Sequence, residues 1–396
     1  MKQDCEIKRL GDLFTFKNGR AFKKEEWSDS GLPIIRIQNL NSEDALFNRF
    51  AGEYSQDIFV GSGDLLFSWS GTIGSSFGSH IWNGKPGLLN QHIFKVAHRE
   101  SIDRRYAFYG LRFITAEIEK SVSGAVGLVH ITKAKLNEFT LPLPPLSEQQ
   151  RIVDVLDKAF EGLATVKVIA EQNLQNARAL FDSHLDSKLS EPGKGWKTTT
   201  LGAEIDLLAG FAFKSAQYTN DDDGIRLLRG DNIVQGRLRW DDVKKWPGND
   251  AQDYARYQLA EGDVVLAMDR PWVKAGLKHA TIGAADLPCL LVQRTARLRG
   301  GANLDSRFLK LLVGAGAFTS HILGVQTGIG VPHISGQQIK DYEFVLPPFL
   351  EQQRIATNLE SLRAETQHLA SLYERKLSAL EELKTSLLQQ AFRGEL

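Results

Sequence analysis

Leu143-Pro144-Pro145-Leu146-Ser147-Glu148-Gln149-Gln150-Arg151-Ile152 is written again 203 residues later as Leu346-Pro347-Pro348-Phe349-Leu350-Glu351-Gln352-Gln353-Arg354-Ile355. The same offset joins His130 to His333, Leu156 to Leu359 and Leu174 to Leu377. Each copy opens a long stretch with helical periodicity. Pro145 and Pro348 stand just upstream of each start, where proline stops the preceding strand without disturbing the helix. The chain therefore reads as head, long helix, head, long helix.

Working outward, the repeat covers the whole chain while its offset drifts. Leu10-Gly11, Gly19 and Phe22-Lys23 match Leu201-Gly202, Gly210 and Phe213-Lys214 at 191 residues. Arg36 and Asn39 match Arg229 and Asn232 at 193, Gly63-Asp64 matches Gly262-Asp263 at 199, and Gln91 matches Gln293 at 202. A fixed framework with drifting segments between is what one scaffold carrying two different surfaces looks like. Two copies are too few for a solenoid, which needs several to bury a continuous core.

The helices read as rulers. Apolar or small residues fall at Ile152, Leu156, Ala159, Leu163, Val166, Ala170, Leu174, Ala177, Phe181 and Leu185, which keeps one face on an almost straight helix. The second stretch repeats the register from Ile355 through Leu359, Leu362, Thr366, Leu369, Tyr373, Leu377 and Leu380 to Leu388, with Lys384 opposite Phe181 in the alignment. The first helix stops before Glu191-Pro192-Gly193-Lys194-Gly195. About 40 residues at roughly 1.5 Å each make a rod of about 60 Å. A lone helix that long would expose its stripe, so each helix wants the other as an antiparallel partner. Such a pair has a two-fold axis across its middle, the operation that also relates the strands of duplex DNA. A duplex read on one face every roughly 34–36 Å fits under such a rod.

The expected boundaries are 1–147 for the first head, 148–190 for the central helix, 191–347 for the second head and 348–396 for the C-terminal helix. The heads read as α/β (α+β) modules. Leu32–Leu40 and Ile225–Ile233 predict short strands ending at an Asn; Asp64–Trp69 and Asp263–Met268 predict buried strands; Gln91–Val96 and Gln293–Leu298 predict alternating ones. Arg104–Lys120 and Asp305–Leu323 predict helices.

Composition narrows the class. Hydrophobic residues at 42% of 396 allow each head its own core. The polar start Met-Lys-Gln-Asp-Cys-Glu has no secretory core, and no apolar run approaches the roughly 18–20 residues of a membrane span. The expected location is the cytoplasm, with Cys5 and Cys289 reduced. Lys+Arg equals Asp+Glu at 48 each. A solitary DNA binder usually shows a basic surplus, so neutrality argues against strong solitary nucleic-acid binding, while leaving open a subunit whose partners supply part of the phosphate contact.

The sequence holds no catalytic constellation and no metal-ligand spacing. Gly193-Lys194-Gly195-Trp196-Lys197-Thr198 lacks the spacing of a phosphate loop, and the Asn/Asp-Pro-Pro-Tyr signature of amino-methyltransferases is absent. Asp242-Val243-Lys244 reads as solvated surface, and His130 and His333 as framework. Side chains able to read base edges are plentiful in the variable segments. The first head offers Lys23, Arg36, Asn39, Ser68, Ser70, Thr72, Gln91 and His92. The second offers Lys214, Arg229, Asn232, Asp269, Arg270, Lys274, Gln293 and Arg294. Asn39 and Asn232 also suit turn closure. Val155, Val168, Leu372 and Leu387 lie off the shared stripe and are candidates for docking a partner subunit.

Two variable heads, each followed by the Pro-Pro…Glu-Gln-Gln-Arg-Ile motif and a long helix, resemble the specificity subunit of type I restriction-modification systems. The openings Leu10-Gly11 and Trp196…Leu201-Gly202 are similar too, as is the ending Ala391-Phe392-Arg393-Gly394-Glu395-Leu396. The resemblance implies two target recognition domains reading a bipartite sequence in double-stranded DNA. It implies helices that dock two modification (methyltransferase) subunits, with restriction/translocase subunits beyond. S-adenosylmethionine would belong to the methyltransferases, and ATP and Mg to the motor; this chain would bind no cofactor. The competing reading is a protein–protein adaptor with two ligand-binding heads.

Overall fold

Each head begins and ends on the same short ladder. Glu6–Arg9 pairs antiparallel with Thr140–Leu143, and Lys197–Thr200 with Glu343–Leu346. Each ladder delivers the chain to the proline pair that ends the strand and starts the helix. This is a computed structural model describing residues 5–396 except 43–44, 73–74, 100, 122–127, 192 and 329. Pro192 of the expected helix stop lies outside the described residues.

The chain divides into two compact units, Met1–Glu171 with Arg375–Leu396, and Gln172–Glu374. The first is built on an antiparallel sheet of β1 (Phe14–Asn18), β2 (Leu65–Ser68), β3 (Gly78–Ile81) and β4 (Ile93–His98), in the order β1-β4-β2-β3. Helix α1 (Arg104–Ser121) covers one face, and α2 (Leu146–Ser190) leaves the head. The second unit repeats the plan with β5 (Ile205–Ala209), β6 (Val264–Ala267), β7 (His279–Thr281) and β8 (Thr295–Gly300), in the order β5-β8-β6-β7. Here two helices, α3 (Ser306–Gly314) and α4 (Gly316–Val325), cover the sheet before α5 (Phe349–Arg393). The single helix expected over Asp305–Leu323 is thus corrected to two. Gly314 and Gly316 are poor helix formers, and the Asp186 carboxylate on α2 accepts from the Gly316 amide at 2.9 Å, starting a new helix.

The expected strands Leu32–Leu40 and Ile225–Ile233 are shorter, at Leu32–Ile35 and Ile225–Leu228. Each pairs in parallel with a second strand, Gly87–Leu89 or Cys289–Leu291. Burial pushes the Cys289 thiol up to about 12, and both cysteines are free.

The repeated motif works through its buried glutamine. Gln149 accepts from the Asp103 amide (2.8 Å) and donates to the Ser101 (3.0 Å) and Pro144 (2.8 Å) carbonyls. Gln352 does the same with Asp305 (2.9 Å), Asn303 (2.9 Å) and Pro347 (2.9 Å). One side chain therefore ties the start of the long helix to the start of the head's own helix. Glu148–Arg151 and Glu351–Arg354 form ion pairs on the outside of the same turn.

Both long helices help complete each core. In the first unit Ile152, Val153 and Leu156 of α2 join Leu388, Ala391 and Phe392 of α5 against the head. Phe392 stacks on Phe113 at 5.3 Å and lies 5.0 Å from Tyr106. In the second unit Phe181 and Leu185 of α2 join Ile355, Ala356 and Leu359 of α5. Within the first unit Lys167 pairs with Glu381 and Lys384 lies over Phe160; within the second, Arg178 pairs with Glu374 and Arg363 lies over Phe181. Partner numbers fall on α5 as they rise on α2, so the helices are antiparallel within each unit.

Candidate nucleic-acid interface

In both heads one backbone frame gathers three side chains. In the first, the Trp69 amide donates to the His92 carbonyl (3.3 Å), the Ile131 amide donates to the Trp69 carbonyl (3.0 Å), and Ser70 pairs with His130. In the second, the Met268 amide donates to the Arg294 carbonyl (2.8 Å), the Ile334 amide to the Met268 carbonyl (2.9 Å), and Asp269 is bridged to His333. Ser70, His92 and His130 therefore stand where Asp269, Arg294 and His333 stand. The frame is equivalent and the chemistry on it is different.

The second frame is strongly polar. His333 Nδ1 lies 2.6 Å from Asp269 Oδ1, and Arg294 Nε 3.6 Å from Asp269 Oδ2. Arg270 and Arg294 both have left-handed backbone, with φ of 46° and 67°; among the described residues only these two non-glycines do. Such strain persists where surrounding structure holds it; here the Arg270 amide donates to the Pro332 carbonyl at 2.7 Å. Beyond Arg270 a hairpin pairs Trp272–Val273 with Gly276–Leu277 and places Lys274 at its exposed tip. Half-buried Lys278 is held below its ordinary value by burial, opposed by Asp231 and reinforced by nearby Arg239 and Arg270. Arg270, Lys274 and Lys278 thus stand before, at the tip of and after one hairpin on a chain of zero net charge.

The first frame is aromatic. Trp69 lies 5.2 Å from His92 and 6.2 Å from His130, and Gln91 Nε2 lies 3.1 Å from His92 Nε2. Buried Trp69 Nε1 and His92 Nδ1 have no hydrogen-bond partner. Arg36 and Arg229 leave the ends of the parallel strands beside the chain running to Gln91 and Gln293, since the Asn90 amide donates to the Ile35 carbonyl and the Val292 amide to the Leu228 carbonyl. Arg36 lies over Trp27 at 5.9 Å, whereas Arg229 is paired with Asp242 at 3.0 Å. Lys244 and Arg229 together hold the Asp242 carboxyl below the usual carboxylate range. Lys23, Lys214, Thr72, Gln91, Gln293, Arg270 and Lys274 are exposed.

Four expected base readers are corrected. Asn39 and Asn232 are buried: Oδ1 accepts from the Arg36 or Arg229 amide at 3.0 Å, and Nδ2 donates to the Ala45 and Leu46 carbonyls or to Arg239. Ser68 and Ser70 are buried too, with Ser68 Oγ donating to the Ser70 carbonyl at 2.9 Å. The two asparagine amides are engaged by backbone, and the two serines lie beneath the surface. The expected docking residue Leu387 is also corrected, because it packs against the first core, while Val155, Val168 and Leu372 are exposed.

A family profile described as the type I restriction modification DNA specificity domain matches residues 2–172. The type I restriction enzyme MjaVIII specificity subunit of Methanocaldococcus jannaschii is 25% identical over 409 aligned residues, covering 100% of this chain and 93% of that protein. The chain is similar along its whole length to type I restriction specificity subunits. The EcoAI specificity subunit of Escherichia coli is 36% identical over 197 residues, covering 50% of this chain and 33% of that one. Among solved structures, a chain from a study of type I R-M complex assembly and conformational transition superposes with a TM-score of 0.78 at 18% identity, covering 100% and 99% of the two chains. The HsdS subunit from Thermoanaerobacter tengcongensis gives 0.62 at 19% identity, covering 100% and 98%.

Sequence reasoning missed part of this chain's frame. His130 and His333 read as framework, yet the His333 ring is paired with Asp269. Trp272 went unnoticed, although it lies between Arg270 and Lys274 in the sequence and its side chain is 40% exposed. Among the described residues no cluster of His, Cys, Asp or Glu is placed to hold a metal, and no single helix is long and apolar enough to cross a membrane.

Proposed function

We propose that this chain is the non-catalytic, sequence-reading component of a type I restriction-modification complex, each head reading one half of a bipartite target in double-stranded DNA. The observation that carries this reading is the shared frame with exchanged side chains: His92 and His130 beside a buried Ser70 in one head, Arg294 and His333 beside a half-exposed Asp269 in the other. An arginine suits the guanine O6/N7 edge, a carboxylate accepts from a cytosine amino group, and the first head's frame holds neither. The heads are residues 1–147 and 191–347, and the helices, 148–190 and 348–396, set the spacer between half-sites. Exposed Val155, Val168 and Leu372, with Ile169, Leu180 and Leu383, supply apolar footing for two methyltransferase subunits. Those partners carry S-adenosylmethionine, and a restriction/translocase subunit in the cytoplasm carries ATP and Mg. Methylome sequencing of a strain with and without this gene tests the assignment. A two-part methylated motif should vanish on deletion; an unchanged methylome overturns the reading.

A further inference from the structure

The second head carries an exposed aromatic on a braced hairpin whose sequence also bears cations. The hairpin of Trp272–Val273 and Gly276–Leu277 is braced on three sides. Gln235 Nε2 donates to the Gly276 carbonyl (3.1 Å), the Lys278 amide to the Pro271 carbonyl (2.7 Å), and the Arg270 amide to the Pro332 carbonyl (2.7 Å). Yet Trp272 and Val273 at its outer edge stay 40% and 38% exposed. Arg270 and Lys274 flank Trp272 in sequence, and Lys278 follows the hairpin. An indole that protein could bury, left out among cations, suits a flat π-system attached to phosphates.

We propose that Trp272 is a wedge that stacks on a base of the half-site read by the second head, opening the adjacent base step; this rests on the DNA-reading function above. Arg270, Lys274 and Lys278 would take the flanking phosphates while the indole covers the unstacked face. The bracing means the hairpin loses little freedom on binding. In the first head the sequence that follows the frame residue Ser70, as far as Ser76, contains no aromatic residue. The distortion is therefore confined to one half of the target.

The test uses the assembled methyltransferase complex and its mapped target, with 2-aminopurine placed at each position of both half-sites in turn. Apart from the positions where the methyltransferase subunits themselves extrude the target base, wild type should show strongly enhanced fluorescence at one step of the second half-site and none in the first. Trp272→Ala should abolish the signal and weaken binding roughly 5- to 150-fold, while Trp272→Phe keeps most of both. Because Trp272 is exposed, the variant should melt with wild type. Unchanged fluorescence in Trp272→Ala, or no enhancement in a wild-type complex that binds its target, overturns the wedge but leaves DNA reading intact. Loss of methyltransferase subunits from the Trp272→Ala complex on gel filtration would instead assign the hairpin to a protein contact and also overturn it. Failure of the wild-type complex to bind any DNA sequence is the separate result that removes the underlying function.

Discussion

Arg294 is held in the second head's frame by its own backbone, with a left-handed φ of 67° and a side chain reaching back to Asp269. Arg294→Ala should relax recognition at one base of the second half-site at a cost of about 1–3 kcal/mol, leaving the first half-site untouched. His92→Ala should do the converse, as read by binding to targets mutated in either half. Equal loss on both kinds of target would make these residues structural. Two further histidines act on stability. His80 on β3 and His279 on β7 are 199 residues apart, the local repeat offset. Burial depresses each to about 4, and neighbouring Arg112 beside His80, or Arg363 and Lys310 beside His279, push the same way. The unfolded chain binds these protons at a higher pH than the folded one, near 6.5. Their stabilising contribution is therefore full above about 6.5 and lost as pH falls toward 4, roughly 2–3 kcal/mol for each. Chemical melts at pH 7 and pH 4.5 measure it; His80→Gln with His279→Gln should flatten the difference.

At the scale of elements, the glutamine of the repeated motif is the joint between head and helix. Gln149→Ala leaves the buried Ser101 and Pro144 carbonyls and the Asp103 amide without their partner, and should destabilise the first unit by about 2–4 kcal/mol. Gln352→Ala should do the same to the second unit; hydrogen exchange, resolved by unit, distinguishes the two. The motif's existence was legible in the sequence because it recurs at a fixed offset, and so were both long helices, whose stripe at Leu156, Ala170, Ala177 and Phe181 is buried as the spacing requires. What the glutamine does was not legible, since its partners are carbonyls that any sequence supplies. The interface was half legible for a related reason. Exposed Arg270 and Arg294 announce themselves by charge, but Asn39 and Asn232 have the same base-reading chemistry and are buried by turns that only the folded chain closes. The break between α3 and α4 was written in Gly314-Ala315-Gly316, yet it needed Asp186, 130 residues away, to become a helix start.

At the scale of the molecule, the boundary between compact units crosses both long helices, at Glu171/Gln172 and Glu374/Arg375. Inserting four residues between Val166 and Leu174 should lengthen α2 by about 6 Å, near two base pairs of rise, while turning its stripe by only about 40°. Methylome mapping of the variant should show a longer spacer between unchanged half-sites. An unchanged spacer with retained activity would deny the helices their measuring role, and altered bases would deny the heads their reading role.

The same division of the chain sets an order of assembly during synthesis. The second unit is one contiguous stretch, Gln172–Glu374, and all of it has been made before Arg375 is added. The first unit lacks Leu388, Ala391 and Phe392 until those residues too leave the ribosome. The half translated first is thus completed last, and throughout that interval the surfaces of Tyr106 and Phe113 that receive Phe392 are open to chaperones and proteases. A stop codon at Arg375 should therefore damage the head farthest from it in sequence. Pulse proteolysis of the truncated product should cut within residues 5–171 while the second unit resists.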